Sequence, residues 1–342
     1  MQFVIIDYMK TLSISIAAYN QEKYLDRCIQ SLIIPSIDDL EIFVVNDGSL
    51  DKTSEIAHRW ADKYPKSIFV IDKENGHYGS CCNASLKQAT AQYFRLLDAD
   101  DFFNTEELEK YVNSLKKVES DMVITTHTIC NIPPIVVAPD KTIVGKTMKL
   151  KDVDFTKYNL PDCYGMHGTT YKTSVLKASK TRLTEGCCAT DTEFAYFPLR
   201  HCDTISFFDY ELYMYQTDIE GQDTSIVNPK QKDQKYIVAR RMLGDYCENI
   251  SEYENIRNAQ RIQIGRIVVG YYGMYICHFP NIAEDDKRIG EMDKMLLAAD
   301  PELYRSFDQV YNCRWHFIKQ YRKSGKTQKN IMSVLNFIKR IL

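Results

Sequence analysis

The sequence predicts an α/β protein: a mostly parallel sheet with helices on both faces, followed by a mainly helical C-terminal region. Three observations predict it. Short, near-continuous apolar runs alternate with helix-period segments over the first hundred residues, as parallel strands buried on both faces do. Three of these runs end in clusters of Asn, Asp or Gly, and in such sheets ligands bind where the strand carboxyl ends meet their loops. From about residue 225 onward the apolar spacing is helical and strand signals are few.

The elements follow in order. Residues 12–18 form a first strand that stops at Tyr19-Asn20. Leu25, Cys28, Ile29 and Leu32 lie at i, i+3, i+4 and i+7, one face of a helix. Residues 41–45 form a second strand ended by Asn46-Asp47-Gly48-Ser49, and Thr53 can cap a helix carrying Ile56, Ala57, Trp60 and Tyr64. A third strand, 68–71, is broken by Asn75-Gly76, and a helix over about 79–89 follows. The fourth, 93–97, runs into Asp98-Ala99-Asp100-Asp101. A helix with Leu108, Tyr111, Val112 and Leu115 and a strand from 122 to 125 continue the alternation. The Pro-rich stretch 131–145 reads as an excursion or a surface strand pair. A boundary near Asp223 divides the chain into 1–223, which holds all three clusters, and 224–342, helical with a basic tail.

Composition narrows the function. Hydrophobic residues make up 44% and charged residues 26% of 342, ordinary for a globular chain. No stretch approaches the roughly 18 uninterrupted apolar residues of a spanning helix, which excludes integral membrane enzymes. The N-terminal apolar run carries Asp7 and Lys10 and no small-residue cleavage pattern, so it is not a secretory signal, and Met9 reads as a natural initiator. The eleven cysteines contain no Cys-x-x-Cys, so they read as reduced structural thiols of a cytoplasmic protein rather than zinc ligands. After Asp308 there are no acids and eight Lys or Arg. An acidic body with its excess basic charge in the tail disfavours nucleic acid as a partner. Ile331, Val334, Leu335 and Ile338 share a helical face beside Lys339 and Arg340, with Trp315, Phe317 and Tyr321 upstream. The tail therefore reads either as a peripheral contact with an anionic membrane surface, at the inner face of the cell membrane, or as a packed helix with a basic outer face.

The clusters carry the chemistry. Three carboxylates at one strand end, Asp98, Asp100 and Asp101, repel one another unless a cation offsets them. Hard oxygen ligands suit Mg²⁺ or Mn²⁺, and the competing reading is a helix N-cap. Asn46-Asp47-Gly48 is either a tight turn or an acceptor for a base or ribose. No Gly-x-Gly-x-x-Gly or phosphate-loop pattern follows any strand, which argues against a dehydrogenase or a P-loop ATPase.

Ser13-Ile14-Ser15-Ile16-Ala17-Ala18-Tyr19-Asn20, Val44-Val45-Asn46-Asp47-Gly48-Ser49, Asn75-Gly76 before Asn83, and Leu97-Asp98-Ala99-Asp100-Asp101 together resemble family 2 glycosyltransferases of the bacterial polysaccharide type. The resemblance is close over residues 11–103 and looser to about 225. It implies a GT-A fold, a nucleotide-diphosphate-sugar donor of UDP type, Mn²⁺ or Mg²⁺, and inversion at the anomeric carbon in cell-surface glycan synthesis. By the same resemblance Ala18, Tyr19 and Asp47 hold the base, Asp98 the ribose side, and Asp100 the cation bridging the diphosphate. Residues 1–223 would then be the nucleotide-sugar-binding and catalytic domain of a hexosyl- or N-acetylhexosaminyl-transferase.

Inversion needs a carboxylate base opposite the leaving group, and the candidate segment is Ala189-Thr190-Asp191-Thr192-Glu193-Phe194. The resemblance carries the base role to Asp191. Thr190 stands where relatives have an acid, which leaves Glu193 as the alternative, and the plain reading is a polar helix start. His167, between glycines, is an acceptor or diphosphate contact or a satisfied structural histidine. His77, in the turn after Asn75-Gly76, is a further possible contact. Glu220-Gly221-Gln222-Asp223 is a flap over the donor or an ordinary loop. Cys82 replaces an Arg frequent in relatives, and no Gln-x-x-Arg-Trp segment is present, so the chain reads as non-processive, acting on a glycan or lipid-linked acceptor. Two other readings compete: a phosphohydrolase with Asp98 as nucleophile, and a non-catalytic sugar-nucleotide-binding scaffold.

Overall fold

The computed structural model describes residues 9–187, 189–217, 229–278, 283–310 and 316–325. The residues preceding Met9, the Glu220–Asp223 segment, the expected boundary at Asp223, and the tail beyond Gly325 with Arg314 and Trp315 lie outside them. The chain divides into two compact units, one of Met1–Gly186, Thr190–Gly221 and Tyr253–Asn258, the other of Cys187–Ala189, Gln222–Glu252 and Ala259–Leu342. Among the described residues no helix is long and apolar enough to cross a membrane.

The first unit is built on one sheet. Its strands are β1 (Leu12–Ala18), β2 (Leu40–Asn46), β3 (Ile68–Asp72), β4 (Tyr93–Asp98), β5 (Phe102–Phe103), β6 (Met122–Ile129), β7 (Ile135–Val137), β8 (Thr147–Lys149), β9 (Thr169–Lys172) and β10 (Thr204–Tyr215). The helices are α1 (Leu25–Gln30), α2 (Thr53–Lys63), α3 (His77–Gln88), α4 (Thr105–Leu115), α5 (Leu160–Cys163), α6 (Thr173–Ala178) and α7 (Asp191–Tyr196). The strand order is β3-β2-β1-β4-β9-β6-β10-β5, with β7 on β6 and β8 on β10. The expected parallel sheet holds for β1 to β4. The remainder is mixed, because β9 lies antiparallel between β4 and β6. The Pro-rich excursion contributes only β7, antiparallel to β6.

Register positions the site. Ala18 lies opposite Asn46, Ala17 opposite Asp98, and Asn46 opposite Asp72. Four carboxyl ends therefore finish level, and the loops after them meet on one edge. The helix-cap alternative for the acidic triplet does not hold, since Asn104 caps α4 by accepting from Glu106 N at 3.2 Å and Glu107 N at 3.3 Å.

The second unit is helical: α8 (Pro229–Glu248), most of α9 (Glu254–His278), α10 (Ala283–Ala299), α11 (Pro301–Ser306) and α12 (Phe317–Lys323). Its core includes ion pairs and Tyr–Asp bonds. Lys232 Nζ lies 2.5 Å from buried Asp285, which also accepts from Tyr271 at 2.7 Å. Asp300 caps α11 by accepting from Leu303 N at 3.0 Å and receives Arg261 through two nitrogens at 2.7 and 3.0 Å, with Tyr246 as a further donor. Burial opposes ionisation of Asp300, but the Arg261 and Tyr246 hydrogen bonds outweigh it and hold its carboxyl at about 2. Asp300→Ala is expected to destabilise this unit by about 2–3 kcal/mol, because it removes the α11 cap and the buried partner of Arg261, which keeps the exposed Glu302 at 2.9 Å. Native Asp300 contributes its stability above pH ~4, its unfolded value, and loses it as pH falls through about 2. Melting curves of native and variant protein should therefore differ most near neutrality and converge in strong acid.

Candidate active site

The loops after β1 and β2 are joined directly. Asp47 N donates to Ala18 O at 2.9 Å, Asn20 N donates to Ser49 Oγ at 3.0 Å, and Leu50 N donates to Asn20 Oδ1 at 2.9 Å. Asp47 is buried, and its Oδ1 accepts from Lys73 Nζ at 2.6 Å and Gly76 N at 2.9 Å. Tyr19 is exposed beside it. The fold thus brings Ala18, Tyr19 and Asp47 together. Asp47 also ties down the turn that opens α3, through a Lys73 that the sequence reading missed.

At the end of β4 the chain turns sharply, with Asp101 N donating to Asp98 O at 3.1 Å. Arg27 Nη2 donates to Asp100 O at 2.7 Å. Tyr213 organises the acids by accepting from Asp98 N at 3.2 Å and donating to Asp101 Oδ2 at 2.6 Å, while Gln216 N donates to Asp101 Oδ1 at 2.7 Å. Burial, reinforced by the charges of Asp101 and Asp100, holds the Asp98 carboxyl well above the usual range. Burial likewise raises Asp101 to about 7, against the Tyr213 and Gln216 hydrogen bonds. Asp98 Oδ1 is buried with no hydrogen-bond partner.

His167 completes this cluster. One ligand atom each from Asp98, Asp101 and His167 lies within 4.8 Å of the others. The imidazole packs edge-on against Tyr213, centroids 4.9 Å apart, and against Tyr215 at 4.6 Å. Two carboxylates and an imidazole suit Mn²⁺ and its neighbours. The orphaned Asp98 oxygen and the accumulated negative charge fit a divalent cation as well. Asp100, to which the resemblance assigns the cation, lies in the same turn, between the clustered Asp98 and Asp101. The glycine after His167 serves packing: a Cβ on Gly168 would lie 2.3 Å from Cys163 O.

The 190–196 segment reaches the same place from elsewhere in the chain. The charge of Asp191 acts on Asp98 and on the buried Tyr78 hydroxyl, which donates to Met166 Sδ at 3.4 Å. It also acts on Tyr215. Glu193, its alternative, is fully buried and accepts from Thr184 N at 2.6 Å and Thr184 Oγ1 at 2.7 Å. It is committed to holding the 183–185 loop. Helix α3 connects the two halves: Ser80 accepts from Lys73 at 2.9 Å, and Cys82 lies in the field of both Asp98 and Asp191. Burial keeps Cys82 a neutral thiol, so it offers no cation where relatives place an Arg. Tyr78 is not legible in the sequence because it falls in the turn before the expected helix at 79–89, whereas the helix begins at His77.

Residues 13–179 match the description Glycosyl transferase family 2. They belong to glycosyltransferase family 2. The chain is 38% identical over 117 residues to an uncharacterized glycosyltransferase of Rickettsia typhi, a match covering 34% of this chain and 36% of that one. A chondroitin synthase of Pasteurella multocida is 25% identical over 260 residues, covering 73% of this chain and 25% of that protein. The chain thus spans about a third or less of the length of these relatives. Among solved structures, residues 1–349 of Staphylococcus aureus TarS in complex with UDP-GlcNAc superpose with a TM-score of 0.65 at 18% identity, covering 96% of this chain and 92% of that one. The family 2 domain has the GT-A fold.

Proposed function

We propose that the chain is an inverting, cation-dependent glycosyltransferase that moves a sugar from a UDP-sugar to an acceptor hydroxyl in cell-surface glycan synthesis. The observation that carries this reading is the buried, unpartnered Asp98 carboxylate oxygen within an Asp–Asp–His cluster, with Asp191 acting on it electrostatically from a separate segment. Ala18, Tyr19 and Asp47 receive the base, and Asp98 lies at the ribose side. Asp100, Asp101 and His167 supply the further donors for Mn²⁺ or Mg²⁺. That cation, when bound, stabilises the negative charge developing on the departing diphosphate. Asp191 takes the proton from the acceptor hydroxyl as its oxygen bonds to the anomeric carbon and the sugar–phosphate bond breaks on the opposite face. The acceptor is a glycan or a lipid-linked glycan, and the basic tail would hold the enzyme at an anionic membrane surface.

Thermal shift tests the reading. UDP with Mn²⁺ is expected to raise the melting temperature by mass action, equivalent to about 2.7 kcal/mol at a hundredfold excess over Kd. UDP alone should do much less, and Asp100→Ala should abolish the Mn²⁺-dependent part. No response to UDP or GDP, with or without the metal, would remove the proposal.

A further inference from the structure

Arg95 is the only charged residue between Tyr93 and Leu97 in the buried strand β4, and it is 0% exposed. Among the described residues its side chain has no carboxylate partner. Its Nη1 donates to Thr125 Oγ1 at 3.0 Å and Thr170 Oγ1 at 3.1 Å, Nη2 donates to His167 O, and Nε has no acceptor. Phe103 and Tyr111 face the guanidinium at 5.3 and 5.9 Å. Burying a charge against dipoles and rings alone is costly, and a methionine would fill the same space without that cost. What the arginine adds is direction, a rigid planar fork reaching acceptors on β6, on β9 and at His167.

Two of the three acceptors, the His167 carbonyl and the Thr125 hydroxyl, converge on one short piece of backbone. Thr125 N donates to Gly168 O at 2.8 Å, and the same Thr125 hydroxyl that receives Arg95 lies 3.3 Å from that carbonyl. The guanidinium therefore grips the His167–Gly168 main chain on both sides, and the imidazole that projects from it belongs to the cluster with Asp98 and Asp101. We propose that Arg95 is a positioning residue for the cation cluster: by clamping the main chain at His167 it fixes the imidazole against the two carboxylates. The inference rests on the reading of that cluster as the cation site.

Charge and position predict opposite signs. Removing a buried positive charge close to a cation site should tighten Mn²⁺ binding, whereas releasing a ligand's backbone should weaken it. The test is Mn²⁺ titration of the whole protein followed by electron paramagnetic resonance, without donor or acceptor. Native protein, Arg95→Met, Arg95→Lys, His167→Ala and the Arg95→Met/His167→Ala double variant are compared.

His167→Ala and Arg95→Met are each expected to weaken Mn²⁺ by about 10- to 100-fold, the range for losing a ligand's outer support. The double variant should be no weaker than His167→Ala alone, because Arg95 acts only through His167. Arg95→Lys keeps the charge and most of the bulk and should also weaken binding, which keeps the test decisive if Arg95→Met does not fold. Native or tighter affinity in both arginine variants, or additive losses in the double variant, overturns the positioning role while leaving the cation site standing. Unchanged affinity in His167→Ala would instead remove His167 from the cation site and the inference with it.

Discussion

Asp191→Asn is expected to lower kcat by about 10²- to 10⁴-fold, the range contributed by a positioned general base, while leaving the Mn²⁺-dependent UDP response intact. The amide keeps the shape of the side chain and cannot take a proton from the acceptor. Asp191 acts on Asp98 and Tyr78 from a segment distant in sequence, and the proposed mechanism gives it the role of base. Glu193→Gln provides the contrast. Both Glu193 oxygens accept from Thr184, and an amide nitrogen would face one of those donors. That variant should lose stability yet retain most of its kcat at temperatures where it is folded. Transfer rates under saturating donor and acceptor, read beside melting curves, separate the two. An Asp191→Asn enzyme within about threefold of native kcat would move the base elsewhere.

The parts of the fold and site legible in the sequence share a physical cause. Strands β1 to β4 are short apolar runs stopped by Asn, Asp or Gly, and those stops carry Tyr19, Asp47 and Asp98. Strand β9, Thr-Thr-Tyr-Lys, was not legible because it has no apolar run. Its Thr169 and Thr170 are nonetheless fully buried, and the Thr170 hydroxyl serves as an acceptor for Arg95 and for Tyr111. Strand β10 escaped for a different reason, since its register against β6 shifts between Phe207 and Glu211 and again before Tyr213, which breaks the period of two. In the second unit, Asp285, Asp293 and Asp300 are each buried against tyrosine hydroxyls and basic side chains. A hydrophobic period cannot register a core held by paired polar groups. Arg95 did leave a trace: a lone cation inside an apolar strand must find acceptors or not be buried.

The remaining large effect runs through a glycine that has no polar side chain to offer a substrate. Gly79 lies in the first turn of α3, and a Cβ there would sit 2.2 Å from Thr184 O and 3.0 Å from the Thr184 carbonyl carbon. The obstruction is backbone, so no side-chain rotation relieves it. Residues 183–185 must move, and they are held by Asn83, which donates to Leu183 O at 2.9 Å and accepts from Leu183 N at 2.9 Å. Thr184 in turn holds Glu193 two residues beyond Asp191. Gly79→Ala is therefore expected to cost about 3 kcal/mol, the upper range for overpacking, lowering the melting temperature of this unit by roughly 6–12 °C. Because a shift of about 1 Å in a catalytic group can cost ~10²-fold, kcat should fall as well, even at temperatures where the variant is folded. Helix α3 would then couple the proposed donor site to the proposed base, since Gly76 and Ser80 face Asp47 while Gly79 braces the loop that holds Glu193. A Gly79→Ala protein with native melting temperature and native kcat would show that α3 does not pack on Thr184, and the route by which the fold positions Asp191 would have to be redrawn.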